Sequence, residues 1–277
     1  MDRNNWIKLA ISPCPNDTYI FGAWINNYLD DPIVGAPGCE YMDIQELNEQ
    51  ALKGNYDVIK FSAALLPKIA DRYWISETGA AAGFDTGPLL VARKEFDLKD
   101  LPGKRIALPG KDTTAAFLFQ FLFPEAKQFY HCIFSEIENK ILDGTVEAGV
   151  IIHESRFNFK QKDLVEIADL GHLWVEKTGN PIPLGLIGIR KTLEKKAALQ
   201  IQTEIRKSLE YARKNEEILK PFIQQLATDM TPEVIQKHIQ LYVNQFTTEL
   251  GFQGKAAILS MFNNDSHQSL SSTSIFI

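Results

Sequence analysis

The chain has 277 residues, a length that suits about two domains at the usual ~100–200 residues each. With 29 Lys and Arg against 35 Asp and Glu the net charge is −6, so a cationic surface for wrapping nucleic acid is not expected, although a local pocket can still hold a small anion. Hydrophobic residues make up 45 % and charged residues 23 %, the balance of a globular protein rather than a disordered one. Cys14, Cys39 and Cys132 form no C-x-x-C pair, which argues against a disulfide framework or zinc ribbon and fits a reducing compartment. The first residues contain no apolar signal core, and no run approaches the ~18–20 apolar residues of a membrane span. The longest, residues 115–123, is interrupted by Gln120. A cytoplasmic protein with no membrane partner is expected.

Strand-like and helical runs alternate through the first 155 residues, the pattern of an α/β fold with mostly parallel strands. Residues 7–12 read as an apolar strand, and 18–29 as a helix with Ile20, Trp24 and Tyr28 on one face. A helix at 46–53, a strand at 57–61, a helix at 63–70 and a strand at 88–92 follow. After the turn Leu101-Pro102-Gly103-Lys104 come a strand at 105–108, a helix at 114–123, a strand at 128–134, a helix at 138–142 and an almost wholly apolar strand at 146–152. Pro181-Ile182-Pro183-Leu184-Gly185 leads into a strand at 186–189. Helices follow it: one carries the stripe Ile201, Ile205, Leu209 and Ala212, and another starts at Thr231-Pro232 with Ile235, Ile239, Tyr242 and Phe246 on its face. The stretch 264–277 has no periodicity and is expected to be a disordered tail. This order implies a discontinuous lobe one, residues 1–93 and 183–263, and an inserted lobe two, residues 94–182, with ligand in the cleft between them.

Four segments at strand ends can carry chemistry. Ser12-Pro13-Cys14-Pro15-Asn16-Asp17-Thr18 reads as a turn whose polar residues cap a helix; Cys14 beside a helix start is a candidate nucleophile, though no partner base lies near it in sequence. Lys60-Phe61-Ser62 offers a cation and a hydroxyl, and a serine that merely caps the next helix explains it equally well. Pro109-Gly110-Lys111-Asp112-Thr113-Thr114-Ala115 turns into the amino end of an apolar helix, where the Thr114 and Ala115 amides can hold an anion; a simple N-cap at Asp112 or Thr113 is the alternative. His153-Glu154-Ser155-Arg156-Phe157 places a histidine directly after a buried strand, with an ordinary pKa near ~6.5 suited to a general base. His131, His172, His238 and His267 show no metal-site spacing to it, so no metal is expected.

These segments together resemble the 1,4-dihydroxy-6-naphthoate synthases of the futalosine route to menaquinone. The likeness runs from about residue 7 to 262 and also takes in Gly87-Pro88-Leu89-Leu90-Val91-Ala92-Arg93, Asp169-Leu170-Gly171, Thr178-Gly179 and Pro183-Leu184-Gly185. The resemblance implies a periplasmic-binding-protein-like type II fold, two α/β lobes around a cleft, working as a lyase without cofactor. The reaction it implies opens cyclic dehypoxanthine futalosine to release 1,4-dihydroxy-6-naphthoate. It implies His153 as the proton acceptor, with Lys60, Phe61, Ser62, Thr113, Thr114 and Ala115 on the substrate, which carries a carboxylate. Ser12, Asn16, Glu154 and Arg156 are further candidates, Glu154 or Arg156 as the group that orients His153. The partner expected is this small molecule, with the chain a monomer or homodimer. A chorismate dehydratase of the same pathway and a non-catalytic solute-binding protein are the alternatives.

Overall fold

The computed structural model of the chain describes residues 7–227, 230–262 and 275–277. Five strands come first: β1 (Lys8–Ile11), β2 (Gly38–Tyr41), β3 (Val58–Ser62), β4 (Tyr73–Ile75) and β5 (Ala81–Gly83). Five more follow, β6 (Leu89–Ala92), β7 (Ile106–Pro109), β8 (Phe129–Cys132), β9 (Ala148–Ile151) and β10 (Val165–Asp169), before the long β11 (Ile182–Arg190). They form two sheets. The first has the order β2-β1-β3-β11-β4, with β5 also on β11, and the second β10-β6-β9-β7-β8. The chain therefore leaves the first sheet after β5, builds the second, and returns through β11.

Two expectations change. The strands were read as mostly parallel, but β6 runs antiparallel to β9 and β10, and β11 antiparallel to β3, β4 and β5. The reason is the crossing itself: a strand that carries the chain from one sheet to the other enters against the direction set by the βαβ units. In addition β6, assigned to lobe one in the sequence reading, is hydrogen-bonded into the second sheet. An apolar run of four residues does not reveal which of two sheets it joins. The sequence reading also lacked β2, β4, β5 and β10, all short.

The first helix, Pro15–Ile25, begins three residues before the expected point, with proline at its first turn, where a missing N–H costs nothing. Ile20, Phe21 and Trp24 are buried against the helix Lys195–Lys214, whose Ile201, Ile205 and Leu209 form the expected stripe. Ser208 on that helix accepts a hydrogen bond from the Trp24 backbone N–H at 3.1 Å. A second core joins Ile59 and Leu186 of the first sheet to Leu90 and Leu108 of the second, filled by Phe119 and Trp174. The later helix Pro232–Tyr242 starts at Thr231 as expected, the threonine side chain accepting from the Val234 N–H.

Most of the expected tail, residues 264–274, lies outside the described residues. Its end does not behave as a tail: Phe276 forms a parallel bridge with Ile75, Ile275 is buried, and the Ile277 N–H donates to the Ile75 carbonyl at 3.2 Å. Three apolar or aromatic residues can cover a short edge strand without any periodicity that a sequence would display.

Candidate functional site

A cavity of about 100 Å³ opens where the ends of β1, β3, β7, β9 and β11 meet the Pro15–Ile25 and Pro232–Tyr242 helices. Ser12, Asn16, Lys60, Thr113, Thr114, Ala115 and His153 of the expected set line it, together with Asp17, Thr86, Gly185, His238 and Tyr242.

His153 follows β9 and holds a backbone φ of 55°, a region L residues seldom enter and one that recurs at functional sites. Its Nδ1 lies 3.3 Å from the Cys14 Sγ, across 139 positions of sequence, and the Phe134 ring stands 4.9 Å away. Burial alone would lower the imidazole pKa, but attraction to the Cys14 sulfur and the hydrogen bond with it outweigh that and push it up to about 9. Glu154 adds a weaker upward pull. Of the groups that the sequence left open for orienting the ring, Arg156 donates to the Gly87 carbonyl and pairs with Asp169 Oδ2 at 2.7 Å, facing a different surface recess, and the side chain hydrogen-bonded to His153 is Cys14. Cys14 thus has the partner base that its sequence neighbourhood lacks.

Asp17 is the hub of the adjoining wall, linked through Ser12, whose hydroxyl accepts from the Cys14 N–H at 3.3 Å. Its Oδ2 accepts from the Ser12 hydroxyl at 2.7 Å and the Ser12 N–H at 3.3 Å, and its Oδ1 accepts from Asn16 Nδ2 at 2.9 Å and Lys60 Nζ at 2.8 Å. Asp17 was read only as a helix cap; it lies instead inside the first turn of the helix and anchors four donors. The Lys60–Asp17 pair is buried at both ends, so the ammonium enters the cavity wall already neutralised rather than as a free counter-charge. Gly185 makes room for it: a Cβ there would lie 2.7 Å from Lys60 Cε.

Phe61 and Ser62 are corrected. Phe61 is fully buried, its ring against Gly188 and away from the cavity. The Ser62 N–H donates to Asn48 Oδ1 at 2.8 Å and its hydroxyl accepts from Asn48 Nδ2 at 3.0 Å, and the residue does not line the cavity. Strand alternation sends Lys60 one way and Phe61 the other, and the buried Asn48 side chain claims what Ser62 offered.

The Gly110 corner has the expected shape. Gly110 sits at φ 59°, and a Cβ there would run into Gln45 Oε1. Thr113 caps the helix Thr114–Leu122, accepting from the Ala116 N–H at 3.2 Å and donating to the Pro109 carbonyl. The Thr114 hydroxyl donates to the Leu184 carbonyl at 2.7 Å, tying the corner to β11. Both hydroxyls are therefore engaged, while the Thr114 and Ala115 N–H groups occupy the first two helical positions, which have no acceptor within the helix. What faces a ligand here is backbone N–H and the positive helix end.

His238 and Tyr242 come from the Pro232–Tyr242 helix, their rings 4.6 Å apart. Burial, then the positive charges at His153 and Lys60, lowers the His238 pKa to about 3, so the ring is neutral at physiological pH. Donor atoms of Cys14, His153 and His238 lie within 4.8 Å of one another. The expectation of no metal rested on histidine spacing along the chain, and the fold removes that ground. His238, Thr86 and Tyr242 carried no signal beyond the apolar face of their helix or the glycine-rich crossing around them.

A sequence profile described as menaquinone biosynthesis matches residues 7–265. The chain belongs to this family. It is 37 % identical over 256 residues to 1,4-dihydroxy-6-naphthoate synthase of Thermus thermophilus, covering 92 % of each chain, and 36 % identical to that of Streptomyces coelicolor, covering 95 % and 94 %. That likeness over whole chains makes it a lyase-type enzyme of menaquinone biosynthesis. Among solved structures, one of a protein from Archaeoglobus fulgidus superposes with a TM-score of 0.87 at 29 % identity, over 94 % of this chain and 97 % of that one. The alkanesulfonate-binding protein SsuA from Xanthomonas axonopodis superposes at 0.73 with 11 % identity, over 99 % and 98 %, which bears out the periplasmic-binding-protein-like fold and nothing finer. Among the described residues no helix is long and apolar enough to cross a membrane.

Proposed function

We propose that the chain opens cyclic dehypoxanthine futalosine to 1,4-dihydroxy-6-naphthoate, with His153 as the general base that removes a proton from carbon. The observation that carries the base assignment is the contact of His153 Nδ1 with Cys14 Sγ in the cavity wall. It fixes the ring and leaves Nε2 as the nitrogen for substrate. A positioned base of this kind contributes about 10²–10⁴ in rate. The substrate carboxylate goes to the Thr114 and Ala115 amides, where backbone donors need no mobile cation. The division into an outer lobe, 1–93 and 183–263, and an inserted lobe, 94–182, belongs to the same reading, with the boundary moved ahead of β6 on the strand pairing.

Incubating the purified chain with the cyclic futalosine derivative, and in parallel with chorismate, tests the assignment. Naphthoate release from the first is expected. Product from chorismate alone would make the chain a dehydratase, and tight binding of a solute without turnover would make it a binding protein.

A further inference from the structure

The polar atoms of the cavity divide into two sets. At the Asp17 wall every charged group has its partner within the protein. Elsewhere in the same cavity, three buried polar atoms have none: the Thr86 hydroxyl and both ring nitrogens of His238. Thr86 is 3 % exposed and His238 1 %. Buried polar groups are nearly always paired, with protein, water, an ion or a ligand, and in a cleft that takes a small molecule the ligand is a natural partner. The Thr86 side chain packs over Gly83, in the segment that crosses from β5 to β6, and His238 lies between the Phe157 and Tyr242 rings. Neither is a loose surface group.

The chemistry of the set selects its ligand. A neutral imidazole presents one N–H and one lone pair, and a hydroxyl both donates and accepts. A carboxylate can only accept and would leave the imidazole lone pair unpaired, and an ammonium can only donate and would leave the N–H unpaired. Groups that donate and accept together, the neighbouring hydroxyls of a sugar or other polyol, satisfy all three orphaned atoms.

We propose that Thr86 and His238 form an uncharged second subsite that binds the hydroxylated part of the substrate, while the Thr114 and Ala115 amides hold its carboxylate. This rests on the activity proposed above and specifies how the substrate lies across the cavity. Because neither side chain has a hydrogen bond inside the protein to lose, Thr86→Val should keep or raise the melting temperature, the trade-off of a residue retained for binding.

The test compares wild type, Thr86→Val and His238→Asn on cyclic dehypoxanthine futalosine, with the affinity for 1,4-dihydroxy-6-naphthoate measured by calorimetry on the same samples. The expected result is a rise in KM for the full substrate of about tenfold or more for each variant, with the naphthoate Kd unchanged. An unchanged KM, or equal weakening of substrate and naphthoate, would overturn the subsite. Wild type without turnover would sink the activity and not this inference, which is then read from the ¹⁵N resonances of His238 on adding D-ribose. A shift in wild type that is lost in Thr86→Val supports the subsite, and a ring that ignores D-ribose refutes it.

Discussion

Replacing Cys14 by serine separates the two chemical roles that meet at 3.3 Å in the cavity. In the wild type His153 is pushed up to about 9 against the burial that would lower it, and the opposing cause is Cys14. With that pKa only about 1 % of the imidazole is neutral at pH 7, so kcat/KM should climb about tenfold per pH unit up to about pH 9. Serine removes the sulfur's attraction and leaves burial opposed only by the weaker pulls of Glu154 and Asp43, so the pKa should fall towards its ordinary ~6.5, where about three-quarters of the ring is neutral at pH 7. A weaker base gives back part of that gain, since proton-transfer efficiency follows basicity. Cys14→Ser is thus expected to match or exceed the wild type at pH 7, with the acidic limb of its kcat/KM profile about two pH units lower. Naphthoate release followed by chromatography between pH 5 and 10 gives both profiles. A limb that stays near pH 9, or an activity collapse at every pH, would refute the reasoning and move the proton transfer to Cys14.

Breaking the buried Lys60–Asp17 pair from either side, with Lys60→Met or Asp17→Asn, should lower the unfolding free energy by about 3–5 kcal/mol in urea, because the remaining charge is stranded; a loss below about 1 kcal/mol would mean that water reaches the pair. His238, whose folded pKa is lowered to about 3, stays neutral while its unfolded counterpart binds a proton, so stability is lost as pH falls from ~6.5 towards 3, at about 1.4 kcal/mol per pH unit. His238→Leu should flatten that part of the stability profile, and a profile unchanged by the substitution would contradict the buried neutral ring. Exhaustive dialysis against EDTA should leave turnover intact; loss that zinc restores would assign Cys14, His153 and His238 to a metal centre.

The site was readable in sequence where local chemistry is sufficient. The Gly110 corner and its helix start, the histidine after an apolar strand and the Thr231 cap are all set by neighbours within a few positions, and each lies where it was expected. What escaped depends on contacts that sequence spacing does not encode. Cys14 meets His153 across 139 residues, Asp17 takes the charge of Lys60 across 43, and His238 reaches the cavity from a helix that follows the whole second sheet. Ser62 failed for a related reason, since an asparagine 14 residues earlier turns inward and engages its N–H and hydroxyl oxygen. The overall fold was legible from alternation and from the return segment near Pro183, but strand direction was not. The same apolar run serves a parallel or an antiparallel pairing, and only the crossing between sheets decides which.

The central claim is that His153 takes the proton in naphthoate release. Its most direct measurement is the kcat of His153→Asn on cyclic dehypoxanthine futalosine, with naphthoate affinity checked on the same sample. The account predicts a loss of at least about a hundredfold in kcat with affinity retained. A kcat near that of the wild type would contradict it.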